Sequence, residues 1–130
     1  MNTRVISIVL IIAMSLVLVG SVAAAPGPPP LPSSFWGIAK VNGVTPPDGT
    51  LVTAWINGVQ YASTKTMSYP GWGGGLYTLT VPGDQTGTEQ IEGGVQGDTI
   101  VFEIGELVAS PTGVWRSGTN VHLDLTATSQ

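Results

Sequence analysis

From Phe35 onward, apolar residues recur at every second position in short runs, and turn residues such as Gly, Pro or Asn-Gly break up the runs. Alternate side chains share one side of an extended strand, so this period dictates sheet rather than amphipathic helix. "FWGIAKVNG" sets Phe35, Gly37, Ala39 and Val41 on one face and Trp36, Ile38 and Lys40 on the other. "LVTAWING" sets Val52, Ala54 and Ile56 against Leu51, Thr53 and Trp55. Its Asn57-Gly58 pair is a strong hairpin signal, with "VQYASTKTM" as the return strand. Tyr77, Leu79 and Val81 alternate inward, as do Ile100, Phe102 and Ile104 in "TIVFEIG", and Val121, Leu123 and Leu125 in the last run. Gly73 to Gly75 reads as loop, because consecutive glycines weaken a ladder. Strands at this spacing predict an all-β fold, an antiparallel Greek-key β-sandwich of about seven strands.

Residues 1–25 have the layout of a secretory signal peptide. Arg4 precedes the apolar run Val5 to Val19, and "SVAAA" supplies small residues for cleavage. The alternative is an uncleaved anchor, since Val5 to Ala25 is about long enough to span a bilayer. Residues 26–34, "PGPPPLPSS", read as a stiff Pro-rich linker that does not pack, and residues 35–127 as one domain. The expected location is therefore secreted or at the cell surface. Eight acidic residues stand against four basic ones, one of them Arg4. Such a surface repels polyphosphate, so nucleic acid is excluded as a partner class. Cysteine is absent, so the core alone must stabilise the domain.

Little in the chain suggests catalysis. The single histidine, His122, shares an outward strand face with Asp124, and Ser117 is merely near in sequence. A triad needs more than this, and the expectation is that the chain is not an enzyme and takes no cofactor. One loop deserves weighing as a calcium site. Asp84, Glu89, Glu92 and Asp98 lie within one Gly-rich connection, and calcium takes six to eight oxygens. Their spacing does not match a dedicated calcium loop. The stretch "IEGGVQGDTIVFEIG" reads chiefly as a tight entry into a strand.

The order of motifs is familiar. "F-x-G-x-x-x-V-N-G", "G-T-L-V-T-A-W-I-N-G-V", "G-x-Y-x-L-x-V-P-G-D", "G-D-x-I-x-F-x-I-G", "W-x-S-G" and "L-D-L-T" follow one another from Phe35 to Thr126. This order resembles the carboxypeptidase-regulatory-like modules of secreted and cell-surface proteins, which have a transthyretin-like β-sandwich. The resemblance implies a non-catalytic accessory or surface module, with Trp115 as a core aromatic.

The sharpest functional signal is aromatic. The chain has four tryptophans. Trp36 and Trp55 fall on the parity opposite the apolar set, and Tyr69 and Trp72 lie in a loop. If the strands of Trp36 and Trp55 are neighbours, both indoles share one outer face. Exposed aromatic platforms stack on sugar rings or anchor protein partners. The expected function is a binding or display module that contacts glycan or a surface protein through these residues. The alternative is a self-assembling subunit of a surface layer or filament.

Overall fold

The computed structural model describes residues 27–130; the stretch read as a signal peptide, residues 1–25, lies outside them. The described chain is all-β and contains no helix. Ten strands follow in order: β1 Ser33–Val41, β2 Leu51–Ile56, β3 Val59–Lys65, β4 Met67–Tyr69, β5 Gly73–Val81, β6 Thr99–Ile104, β7 Leu107–Ser110, β8 Gly113–Val114, β9 Asn120–His122 and β10 Leu125–Ala127. Their hydrogen-bonded path is β3-β2-β6-β7-β10-β1-β5-β4, with β8 on β6 and β9 on β1. Near one end of the path β3 comes back against β5, so the sheet is nearly closed.

The alternation predicts the core well. Phe35, Ala39, Val52, Ala54, Ile56, Tyr77, Leu79, Val81, Ile100, Phe102, Ile104 and Leu125 are all buried. Phe35 and Phe102 meet edge to face, with ring centroids 5.2 Å apart. Val121 departs from the expectation at 38% exposed, because β9 pairs only with β1 at the margin of the sheet. The Asn57-Gly58 turn joins β2 to β3 as expected, with Asn57 at φ 52°.

Three expectations of the strand pattern are corrected. There are ten strands rather than seven, and the pairing is not wholly antiparallel. Strand β1 runs parallel to β9 (Ser34↔Asn120, Trp36↔His122) and to β10 (Ala39↔Leu125, Val41↔Ala127). Side-chain alternation fixes which face a residue takes but not which strand lies beside it. The Gly73–Gly75 run belongs to β5 rather than to a loop. A Cβ on Gly75 would sit 2.6 Å from the Ala39 carbonyl oxygen, so only glycine lets β5 begin so close to β1.

The pairing of β1 with β9 and β10 keeps a single register but is interrupted between them. The Leu123 N–H still donates to the Trp36 carbonyl, at 2.8 Å. The next N–H along β1, that of Ile38, donates to Asp124 Oδ1 at 2.9 Å rather than to a carbonyl. The Leu123 carbonyl accepts instead from the Tyr77 hydroxyl, which reaches across from β5. Gly37 lies between them, and a Cβ there would sit 2.5 Å from the Leu123 oxygen. Burial, and then the Asp124 carboxylate, push the Tyr77 phenol well above the ordinary tyrosine range, so it remains a donor.

The Pro-rich segment lies along the domain, against the expectation that it stands clear. Gln85 Nε2 donates to the Gly27 carbonyl at 2.9 Å, Ser117 Oγ to that of Leu31 at 3.0 Å, and the Gly118 N–H to that of Pro32 at 3.0 Å. Strand β1 already begins at Ser33, within the stretch read as linker. The Gly-rich stretch is a strand entry wrapped around Trp115. The Gly94 N–H donates to the Pro82 carbonyl at 2.9 Å, and a Cβ on Gly94 would sit 2.5 Å from the Trp115 ring. Trp115 is buried and donates from Nε1 to the Val81 carbonyl at 3.1 Å.

Removing the Tyr77 hydroxyl strands the Leu123 carbonyl while leaving the ring's packing intact. Tyr77→Phe is expected to cost about 1–3 kcal/mol in urea denaturation with an unchanged slope. A loss below a few tenths of a kcal/mol would show that water satisfies that carbonyl equally well.

Candidate ligand face

The outward side chains of β1 are the even-numbered ones, and the register places their neighbours in rows across three strands. Thr80, Ser34 and Asn120 form the first row, and Thr78, Trp36 and His122 the second. Leu76, Ile38 and Asp124 form the third, the last held by the Ile38 N–H. Lys40 and Thr126 follow in the fourth. The face therefore runs from hydroxyls and an amide, through an aromatic row, to a carboxylate and an ammonium.

The aromatic row is built in three dimensions. His122 stacks on Trp36 with ring centroids 4.2 Å apart and planes 12° apart. Trp72 meets Trp36 at 6.0 Å and 82°, so the two indoles form a corner. Trp72 comes from the β4–β5 hairpin, where its N–H donates to the Tyr69 carbonyl at 3.0 Å across Pro70-Gly71, a favoured turn pair. Trp72 is 56% exposed and Tyr69 58%, so both present open ring surface.

Hydrogen bonds fix the polar members. His122 Nε2 lies 3.1 Å from Asp124 Oδ1, which also accepts from Ile38. The Ile38 N–H, and then His122, hold the Asp124 carboxyl below the usual carboxylate range. Ser117 does not approach this pair as a nucleophile would; its hydroxyl is bound to the Leu31 carbonyl. Two grooves flank the corner. One of about 610 Å³ is lined by Trp36, Ser34, Thr78, Thr80, Thr119 and Asn120, among others. The other, of about 550 Å³, includes Trp72, Ile38, Lys40, Thr45, Asp124 and Thr126. Both volumes fall in the range of small-molecule sites.

Of the aromatics singled out in the sequence, the structure joins Trp36 to Trp72 and places Tyr69 at the other end of the tight turn that Trp72 closes. It does not join Trp55 to them. Strand β2 lies between β3 and β6, and four steps of the sheet path separate it from β1. Trp55 is half-buried, and its Nε1 donates to Thr53 Oγ1 at 2.8 Å. His122 and Asp124 are the members that the sequence reading left out. Their outward parity was legible, but the parallel pairing that sets them beside Trp36 and Ile38 was not.

The acidic loop turns Asp84, Glu92 and Asp98 on itself. Asp84 Oδ1 accepts from the Glu92 N–H at 3.1 Å, and Glu92 Oε2 accepts from the Gln85 N–H at 3.2 Å and Thr88 Oγ1 at 3.0 Å. The Thr88 hydroxyl chiefly holds the Glu92 carboxyl below its usual range. Asp98 Oδ2 accepts from the Val95 N–H at 3.0 Å. Among the described residues no three acidic, histidine or cysteine side chains form a group that could hold a metal ion.

No known protein family, curated protein or solved structure matches the chain.

The depressed Asp124 carboxyl gives a signed prediction. Its contribution to stability is present above the ordinary aspartate range, near pH ~4, and is lost as the pH falls through its lower folded value. Asp124→Asn is expected to be less stable than the wild type at pH 6, with the gap narrowing toward pH 2.5 in urea titrations. A gap that stays constant with pH would detach the carboxylate's charge from its role at Ile38.

Proposed function

We propose that this chain is a non-catalytic module, secreted or displayed at the cell surface, that binds glycan through the outer face of β1 and its neighbours. The observation that carries the reading is the indole corner of Trp36 and Trp72, set between two grooves lined by hydroxyl, amide and carboxylate groups. The apolar face of a pyranose ring suits an indole, and its equatorial hydroxyls suit such polar neighbours. His122 fits this reading as a support. Stacked on Trp36 and tied to Asp124, it restrains the indole and leaves less side-chain freedom to be lost on binding. No metal enters the reading, and the acidic loop acts in it as a self-bonded closure. Part of the same proposal is that the nearly closed sheet is a Greek-key sandwich of the carboxypeptidase-regulatory-like kind. The motif order from Phe35 to Thr126 supports this.

A glycan array probed with the wild type, Trp72→Ala and Trp55→Ala tests the function. The wild type is expected to bind at least one glycan. Trp72→Ala should weaken that binding about tenfold without lowering the melting temperature, the loss of one good stacking partner. Trp55→Ala should bind as the wild type does. A wild type that binds no glycan sinks the reading.

A further inference from the structure

We infer that the ligand is a neutral, linear polysaccharide lying along β1, so that the two grooves are successive parts of one track. This rests on the glycan reading above and narrows it. The outward residues of β1 that line the grooves are Ser34, Trp36, Ile38 and Lys40. Trp36 ends the first groove, and the Trp72 ring touching it opens the second. From Ser34 to Lys40 the strand advances six residues, about 20 Å, the length of about four linked pyranose rings. A site for a single terminal sugar would need one closed pocket. Here both grooves are open, and they meet on an aromatic ridge over which a chain can pass.

The charge pattern selects a neutral chain. No acidic or basic side chain lines the first groove. The second carries Lys40 and Asp124, which offset each other. The chain as a whole has a formal net charge of −4, which opposes a polyanionic glycan. A polycationic glycan would want an excess of carboxylates on the face, and Asp124 is already committed to Ile38 and His122. The ends of the track then differ in kind. Hydroxyl and amide groups of Ser34, Thr80 and Asn120 meet one end of the polymer, Lys40 and Thr126 the other, and the rings of Trp36 and Trp72 lie between them.

The test is a length series by calorimetry with two neutral probes, β-1,4-linked glucose oligomers and β-1,4-linked N-acetylglucosamine oligomers, each of two to six units. In at least one series, affinity is expected to rise with each unit up to about four and then level off. Asn120→Ala, at the end of the track opposite Lys40, should weaken the tetramer about threefold or more and leave a dimer seated on the indole ridge unchanged. Its melting temperature serves as the folding control, and Thr80→Val supplies a second variant at the same end. Equal affinity for dimer and hexamer, or an Asn120→Ala effect of the same size on both, would overturn the track and leave glycan binding standing. Binding on the array confined to branched or charged glycans would do the same. An array on which nothing binds would remove both.

Discussion

The contact on which the rest depends is the Tyr77 hydroxyl on the Leu123 carbonyl, made past the bare backbone of Gly37. Strand β1 has β5 on one side and β9 and β10 on the other. At Gly37 the second of these ladders opens, and two groups from outside the ladder satisfy what it leaves unpaired. Tyr77 takes the carbonyl and Asp124 takes the Ile38 N–H. A slip of one residue would separate both pairs and reverse every side chain of β9 and β10 between core and solvent. The interruption therefore pins the register, and the register is what brings His122 to Trp36 and Asp124 to Ile38. Structure and proposed site share one cause.

Elsewhere the Gly-rich segments do a similar job by close approach. Gly94 lets the chain lie against the Trp115 ring, and Gly75 lets β5 start beside the backbone of Ala39. The stretch that in isolation suggests an ion cradle is a path over a buried indole. Asp84, Glu92 and Asp98 accept there from N–H groups and a hydroxyl of the same loop. In a domain without cysteine, such packed crossings do the stapling that disulfides do elsewhere.

How much of this the sequence discloses depends on the range of the interaction. Alternation is local, so the inward set from Phe35 to Leu125 was readable, as was the Asn57-Gly58 hairpin. So was the outward parity of Trp36, His122 and Asp124. Strand neighbourhood is not local. Parallel pairing of β1 with β9 joins residues 86 apart in the chain, and nothing in the period of either strand announces it. For that reason parity alone groups Trp55 with Trp36 although β2 lies across the sheet, and it does not set His122 beside either. The packing of the Pro-rich segment is hidden for a related reason. Proline content predicts an extended chain but not the carbonyl acceptors that Gln85, Ser117 and Gly118 find on it.

The central claim is that one face, set by the register at Gly37, meets the ligand. Proton–nitrogen correlation spectra of the full domain, recorded while a glycan taken from the array is added, address it directly. The four indole Nε1–H signals report separately on Trp36, Trp55, Trp72 and Trp115. The account predicts that the signals of Trp36 and Trp72 move with the bound fraction, together with the backbone amides of Asn120 and His122, while Trp55 and Trp115 stay fixed. Shifts centred on Trp55, or on the loop from Asp84 to Asp98, would contradict it.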